Sequence, residues 1–324
     1  MKLSLAIPVF NEEKALPLLL AELRTALSML DCDHEIIFVN DGSRDGSLAF
    51  LLAQAAADRR IKVLSFSRNF GQQLAITAGL DFSTGDAVVV MDADLQDPPE
   101  LLAEMIRLYR EGYDVVSPRR VLREGETWWK RHTAALFYAL MNHLSDTPVA
   151  EQVGDFRLLS RAAVNALRNL REQHRFVRGM IAWLGLREAF LPFDRCRRAA
   201  GETNYPLSKM IRLSWTAVTS FSALPLRIAT FGGVCASGAA ILYCVYAGYR
   251  ALIQQAVVPG WTSIVFLQCF FFGVTLLSMG MIGQYIAKIY DESKQRPLYV
   301  LTETRNIDRD QPPPLRAIVV QPRQ

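Results

Sequence analysis

The sequence predicts an α/β protein built on a mainly parallel sheet with helices on both faces, followed by interfacial helices and two transmembrane helices. Two observations carry this reading. Short apolar runs alternate with helical periodicity through the first half of the chain. Further on, residues 228–287 hold a single charged residue, Arg250, with Arg and Lys gathered on either side.

The first strand is "LSLAIPVF" (Leu3–Phe10), short and apolar, and "EEKALPLLLAELRTALSML" after it has helical spacing. "HEIIFVN" is the second strand, followed by the turn "DGSRDGS" and an Ala-rich helix. "IKVLSFS" is the third strand, "GQQLAITAGLDFS" a helix, "DAVVVM" the fourth strand and "YDVVSPRR" a fifth. Strands that are apolar along their whole length belong in a parallel sheet covered on both faces. Ligands of such sheets bind beyond the C-terminal strand ends, and Asn11, Asp41, Asp92 and Asp94 all fall there.

The chain of 324 residues then divides as follows. Residues 1–200 form a cytoplasmic domain, with an amphipathic interfacial helix at about 127–145 that mixes Trp128, Trp129, Phe137 and Tyr138 with Lys130 and Arg131. Residues 201–227 are juxtamembrane. A first span at 228–250, an external connection at 251–262 and a second span at 263–287 follow, each span matching the roughly 20 residues that cross a bilayer. Residues 288–324 form a cytoplasmic tail whose Pro-rich end, "DQPPPLRAIVVQPRQ", is expected to be disordered. Arg212 and Arg227 before the spans, and Lys288, Lys294 and Arg296 after them, put both termini in the cytoplasm. Gly232, Ala236 and Ala240 recur every fourth residue, a stripe on which helices of a homo-oligomer could pack.

Composition narrows the function. The net charge of +4 is mild, but Arg107, Arg110, Arg119, Arg120, Arg123, Lys130 and Arg131 cluster. Beside membrane spans this suits a phosphorylated or membrane-bound substrate better than nucleic acid. The five cysteines show no metal-finger or C-x-x-C spacing and read as reduced. The start of the chain has no secretory leader pattern. The turn after the first strand is "NEEKAL", where a nicotinamide-binding fold needs G-x-G-x-x-G, and no P-loop is present.

"VVVMDADLQDPPE" (Val88–Glu100) sets four acidic residues and Gln96 directly behind a strand. Asp97-Pro98-Pro99-Glu100 reads as a helix start, with Asp97 as N-cap, Pro98 at the first helical position and Glu100 as the capping-box acid. Asp92, Asp94 and Gln96 remain, an all-oxygen set suited to a hard cation such as Mg²⁺ or Mn²⁺. Singly, Asp41, Asn11-Glu12 and Asp155 also read as turn formers or caps. Polar groups at successive strand ends of one parallel sheet nevertheless converge on one crevice.

"IPVFNEE", "VNDGSRDGS", "SRNFGQQLAITAGL", "MDADLQDPPE", "VGDFRLLSR" and "GETNYPLSK" together resemble the family 2 glycosyltransferases acting on polyprenyl phosphates. The likeness is greatest to bactoprenol (undecaprenyl-phosphate) glucosyltransferases, with dolichyl-phosphate mannose synthases and undecaprenyl-phosphate aminoarabinose transferases as relatives, and it runs in order up to about Tyr299. The resemblance implies a GT-A type, Rossmann-like fold. It also implies a multi-pass enzyme of the bacterial inner membrane that transfers one sugar, with inversion, to polyprenyl phosphate. The implied donor is UDP-glucose, and the lipid-linked product would serve cell-envelope glycan modification such as that of the O-antigen. Other donors (UDP-N-acetylglucosamine, GDP-mannose, a UDP-4-amino-arabinose derivative) are alternatives, and a non-catalytic nucleotide-sugar binding protein is a remote one. "QHRFV" departs from the Q-x-x-R-W of processive synthases, which favours single-sugar transfer.

Carried over by position, the resemblance places Pro8, Asn11, Glu12, Asp41 and Asp92 around the nucleotide. Asp94 and Gln96, with Asp92, would take a Mg²⁺ or Mn²⁺ ion bridging the diphosphate. Arg119 would lie near the diphosphate, Asp155 beside the acceptor, and Arg157, Arg198 and Lys209 about the acceptor phosphate. A phosphate monoester is already largely a dianion near neutral pH, so the acceptor hardly needs a general base.

Overall fold

The computed structural model describes residues 1–120, 153–193, 224–252, 260–307 and 317–319. The expected interfacial helix at 127–145, most of the 201–227 segment, and Arg198 and Lys209 lie outside these residues. The chain divides into two compact units, one holding the N-terminal domain together with the tail from Gln295, the other holding most of 207–294.

In the first unit the five expected strands form: β1 (Lys2–Val9), β2 (Asp33–Asn40), β3 (Ile61–Phe66), β4 (Ala87–Val90) and β5 (Val115–Arg120). Helices α1 (Leu16–Ser28), α2 (Ser47–Ala57), α3 (Gln72–Phe82) and α4 (Leu101–Arg110) alternate with them. Past β5 come β6 (Arg157–Ser160), α5 (Arg161–Asn169), α6 (Val177–Leu184) and β7 (Glu188–Phe193). The tail contributes β8 (Tyr299–Arg305) and β9 (Ala317–Val319). The sheet runs β7-β5-β6-β4-β1-β2-β3-β8-β9. Its centre, β4-β1-β2-β3, is parallel, with β6 antiparallel to β4 and β8 antiparallel to β3.

The apolar runs explain the centre. Leu3, Leu5, Ile7, Ile37, Val39, Val63, Leu64, Val88 and Val89 are fully buried, so both faces of these strands lie under helices. Chain order reverses between β1 and β4, which makes the gap beyond their ends the binding crevice of an open α/β sheet. Pro8 fits this gap. The β1–β4 ladder ends at Ala6–Val90, so the N–H that Pro8 lacks has no partner to lose on that side.

Two expectations about elements are corrected. Within the Pro-rich end expected to be disordered, Ala317–Val319 pairs with β8, and ahead of it Tyr299–Arg305 pairs with β3. Leu298, Tyr299 and Leu301 are buried, and Tyr299 stacks on Phe66 with ring centroids 5.1 Å apart. The Tyr299 hydroxyl donates to Asp81 Oδ2 at 2.7 Å, and Arg171 grips the same carboxylate with two 2.8 Å bonds. The second correction is Asp97. Helix α4 starts at Leu101 behind Glu100, without a side-chain cap. Asp97 instead accepts the backbone N–H of Asp92 at 3.0 Å, which ties the acidic loop back to the end of β4.

In the second unit α7 (Leu224–Leu252) packs against α8 (Trp261–Ser293). Among the described residues one helical stretch, Phe270–Ser293, is long and apolar enough to cross a membrane, and Ala229–Tyr243 within α7 is a shorter apolar stretch. Two helices therefore form where two spans were expected, and one of them meets the length-and-composition requirement. Both leave large apolar side chains exposed, Phe231, Leu242, Leu277 and Ile289 among them.

Candidate active site

Each loop beyond the central strands is held by polar contacts that its own sequence supplies. Asn11 adopts φ 56°, a left-handed conformation that Asn tolerates better than most residues. Its Oδ1 accepts the N–H of Arg44 at 2.8 Å, and its own N–H donates to Ser43 Oγ at 3.0 Å. The N–H of Glu12 donates to Ser47 Oγ at 3.0 Å. The loops after β1 and β2 are thus pinned together at one rim of the crevice.

Asp41 is buried, and its carboxylate accepts the N–H groups of Phe70 (2.6 Å) and Gly71 (2.9 Å). Burial pushes its pKa up, against the pull of those two donors. Gly42 is obligatory beside it: φ is +68°, and a Cβ there would stand 2.6 Å from the backbone of Arg68. Asp41, expected at the nucleotide, here orders the loop that leads into α3.

Beyond β4 the acidic loop turns through Leu95, at φ 61°, a strained conformation for a side chain of that size. The Asp94 Oδ1 accepts the N–H of Gln96 at 3.2 Å, and Gln96 is buried. Gln72 donates to Asp92 Oδ1 at 2.8 Å. Burial, followed by the charges of Asp97, Asp155 and Asp94, pushes the Asp92 carboxyl up to about 7. That cost is what a cation would offset. The described residues offer no set of three His, Cys, Asp or Glu arranged to hold a metal. Two carboxylates and one amide oxygen do suit Mg²⁺ or Mn²⁺, which keep open positions for phosphate and water. The donor chemistry fits.

Beside the end of β4, just ahead of its antiparallel neighbour β6, stands Asp155, which is buried. Its Oδ1 accepts Arg178 Nε at 2.6 Å and its Oδ2 accepts Gln73 Nε2 at 3.3 Å. The electrostatic influence of Asp155 on Asp92 puts the two on the same site. Arg119 is exposed at the end of β5, with its guanidinium 5.0 Å over the Phe190 ring. Arg157, expected at the acceptor phosphate, is buried in β6 at 4% exposure, and burial lowers its pKa to about 10. Its Nη2 donates to Gly154 O at 2.8 Å, which makes it a brace beneath Asp155 rather than a surface ligand. Sequence reasoning overlooked Gln72, Gln73, Arg178 and the tertiary role of Asp97, because each acts on a carboxylate through contacts that no local pattern encodes.

Acidic side chains thus gather beyond the ends of successive parallel strands, with Asp92, Asp94 and Asp97 crowded behind β4. The chain belongs to glycosyl transferase family 2, whose model matches residues 4–168, and it is a glycosyltransferase. It is 43% identical over 305 residues to the uncharacterized glycosyltransferase YkcC of Bacillus subtilis, covering 94% of each chain. It is 37% identical to a prophage bactoprenol glucosyl transferase homolog of Escherichia coli, over 94% of this chain and 100% of that one. With the bactoprenol glucosyl transferase of Shigella phage SfV it shares 38% identity over 93% of this chain and 98% of the other.

Proposed function

We propose that this enzyme transfers a single glucose from UDP-glucose to a polyprenyl phosphate, with inversion, at the cytoplasmic face of the bacterial inner membrane. The observation that carries the reading is the gathering of Asp92, Asp94 and Asp155 at one end of the sheet, beyond β4 and just ahead of β6, in a chain that also exposes a long apolar helix. The bactoprenol glucosyl transferases that it resembles over nearly their whole length support the lipid acceptor and the glucosyl donor.

Asp94, Gln96 and Asp92 would hold Mg²⁺ or Mn²⁺, which when bound supplies positive charge to the leaving diphosphate. Arg119, whose fork matches phosphate, stands at the same strand-end level and would share that task. Pro8, Asn11, Glu12 and Asp41 would shape the nucleotide pocket. On the acceptor side Arg198 and Lys209 would bracket the lipid phosphate. One phosphate oxygen attacks the anomeric carbon, the sugar–oxygen bond to UDP breaks, and the electron pair leaves with UDP. Both oxygens of Asp155 already accept hydrogen bonds, from Arg178 and Gln73, which suits orienting the acceptor rather than removing a proton. A single displacement turns an α-linked donor into a β-linked glucosyl phospholipid.

The helix pair α7/α8 would anchor the enzyme as two spans. The strand β8 follows α8 and pairs with β3, which supports an even number of crossings between β7 and β8. At 29 and 33 residues the helices run about 43 and 50 Å, each enough for a hydrocarbon core of roughly 30 Å.

The test is a donor panel against undecaprenyl phosphate in detergent, with UDP release followed and the lipid product weighed and its anomeric linkage assigned. UDP-glucose is expected to give a β-linked product whose formation requires the lipid. Release of UDP without lipid dependence, preference for another donor, or an α-linked product would each count against a part of the reading.

A further inference from the structure

Two consecutive glutamines open α3, and they serve different carboxylates. Gln72 Nε2 donates to Asp92 Oδ1 at 2.8 Å, and Gln73 Nε2 to Asp155 Oδ2 at 3.3 Å. Asp92 emerges from the end of β4, whereas Asp155 precedes β6. The Gln73 amide works at both ends, since its Oε1 accepts the N–H of Val177 at 2.9 Å. That N–H belongs to the first turn of α6, whose donors have no carbonyl within the helix. Phe176, at the N-cap, offers no side-chain bond, so Gln73 caps α6 from 104 residues away in sequence. Arg178, one position further, returns its Nε to Asp155. The start of α3, Asp155 and the start of α6 thereby form a closed ring of hydrogen bonds.

The approach to this pair is fixed as well. Asp41 holds the N–H groups of Phe70 and Gly71, and Gly71 lies at φ 101°, where a side chain would be strained. Consecutive residues on a helix diverge by about 100°, so two neighbours on one rigid end can reach two different acids and set their separation. Glutamine suits the task because one amide carries a donor and an acceptor. A glutamate at 73 would lose the donor and repel Asp155, and an apolar side chain would lose both contacts.

We propose that Gln72 and Gln73 are positioning residues for the transfer reaction: Gln72 sets the donor-side carboxylate Asp92, and Gln73 sets the acceptor-side carboxylate Asp155 together with the start of α6. The assignment of sides rests on the functional reading above; the hydrogen-bonded ring does not. Each glutamine acts through the acid that it holds.

The test compares Gln72→Met and Gln73→Met, close in size and lacking the amide, as full-length protein in detergent. With UDP-glucose and undecaprenyl phosphate, Gln73→Met is expected to lower kcat by about tenfold, the worth of one hydrogen bond to a charged group, with donor KM little changed. Gln72→Met is expected to raise donor KM by about fivefold with a smaller effect on kcat. A structural role alone would move both parameters alike in both variants. Hydrogen exchange without substrate forms the second arm. Gln73→Met is expected to speed exchange in peptides covering Val177–Met180 and to leave Asp92–Gln96 unchanged, and Gln72→Met to do the reverse. Equal kinetic effects of the two variants, or exchange in α6 that Gln73→Met does not alter, would overturn the proposal. A wild type that transfers no glucose would sink the functional reading alone, and the exchange arm would still decide whether the two glutamines act separately.

Discussion

At Asp92 and Asp94 the protein concentrates negative charge where the proposed donor brings a diphosphate, an arrangement that is costly unless a cation joins them. Asp94→Ala, or chelation of the wild type with EDTA, is therefore expected to abolish sugar transfer, and full turnover in EDTA would remove the metal from the reading. Asp97 belongs to the same loop by a different contact, its hydrogen bond from the Asp92 N–H. Asp97→Asn keeps an oxygen for that N–H and is expected to retain most activity, whereas Asp97→Ala leaves the donor unpaired at a cost of about 1–3 kcal/mol and loses turnover. Equal activity in the two variants would return Asp97 to the simpler role of a helix start. The sequence could not separate these roles, because Asp-Pro-Pro-Glu is a sound capping pattern and the competing N–H is chosen by the fold of the loop. Asp41 and Asp92 were legible as strand-end acids, and Asp155 was singled out by the resemblance of "VGDFRLLSR". Their partners Gln72, Gln73 and Arg178 were not. On the acceptor side, Asp155→Asn keeps size and hydrogen bonding but removes charge, and is expected to cut turnover by about a hundredfold while calorimetry shows UDP binding nearly unchanged. A parallel loss of UDP affinity would place Asp155 in the donor pocket.

Elements were legible in proportion to how much of their stability is local. The strands β1 to β4 announce themselves as apolar runs. The strand β6 is four residues long and contains Arg157, and β8, "YVLTETR", is polar over half its length. Both owe their existence to pairing with β4 and β3. The opposite end of the sheet from the crevice is tied by Glu35, which is buried and accepts bonds from Ser4 Oγ (2.6 Å) and Thr84 N–H (2.7 Å) while ion-paired with Lys2 (2.7 Å) and Lys62 (2.9 Å). Burial alone would raise its pKa, but these donors outweigh burial and bring it from 4.5 down to about 2. A carboxyl whose pKa is depressed by folding contributes fully above its unfolded value and loses that contribution as pH falls toward the folded one. Thermal melts are accordingly expected to show stability falling between about pH 4.5 and pH 2, by roughly 3 kcal/mol from this group. Glu35→Gln should be less stable at neutral pH and should show a shallower acid slope. An unchanged slope would mean that other carboxylates govern the acid transition.

For the whole molecule the decisive feature is that the chain leaves the sheet, forms α7 and α8, and comes back to hydrogen-bond along β3. A single crossing would strand β8 on the far side of a bilayer, with Tyr299 parted from Phe66 and Asp81, and the buried Leu298 and Leu301 taken out of the core. The flanking charges point the same way, with Arg227 in the first turn of α7 and Lys294 and Arg296 after α8. Arg250 is the one charge inside the apolar region, and it lies two residues before the end of α7 at Leu252. Reporter insertions test the resulting topology directly. Reporters placed after Gln324 and near Glu111 are expected to behave as cytoplasmic, and one placed near Pro259 as external. A cytoplasmic signal at Pro259 would make α7 and α8 a hairpin lying on the membrane or packed on another protein. Signals of opposite sense at Glu111 and Gln324 would contradict the β3–β8 pairing itself, and with it the one compact unit in which the crevice is built.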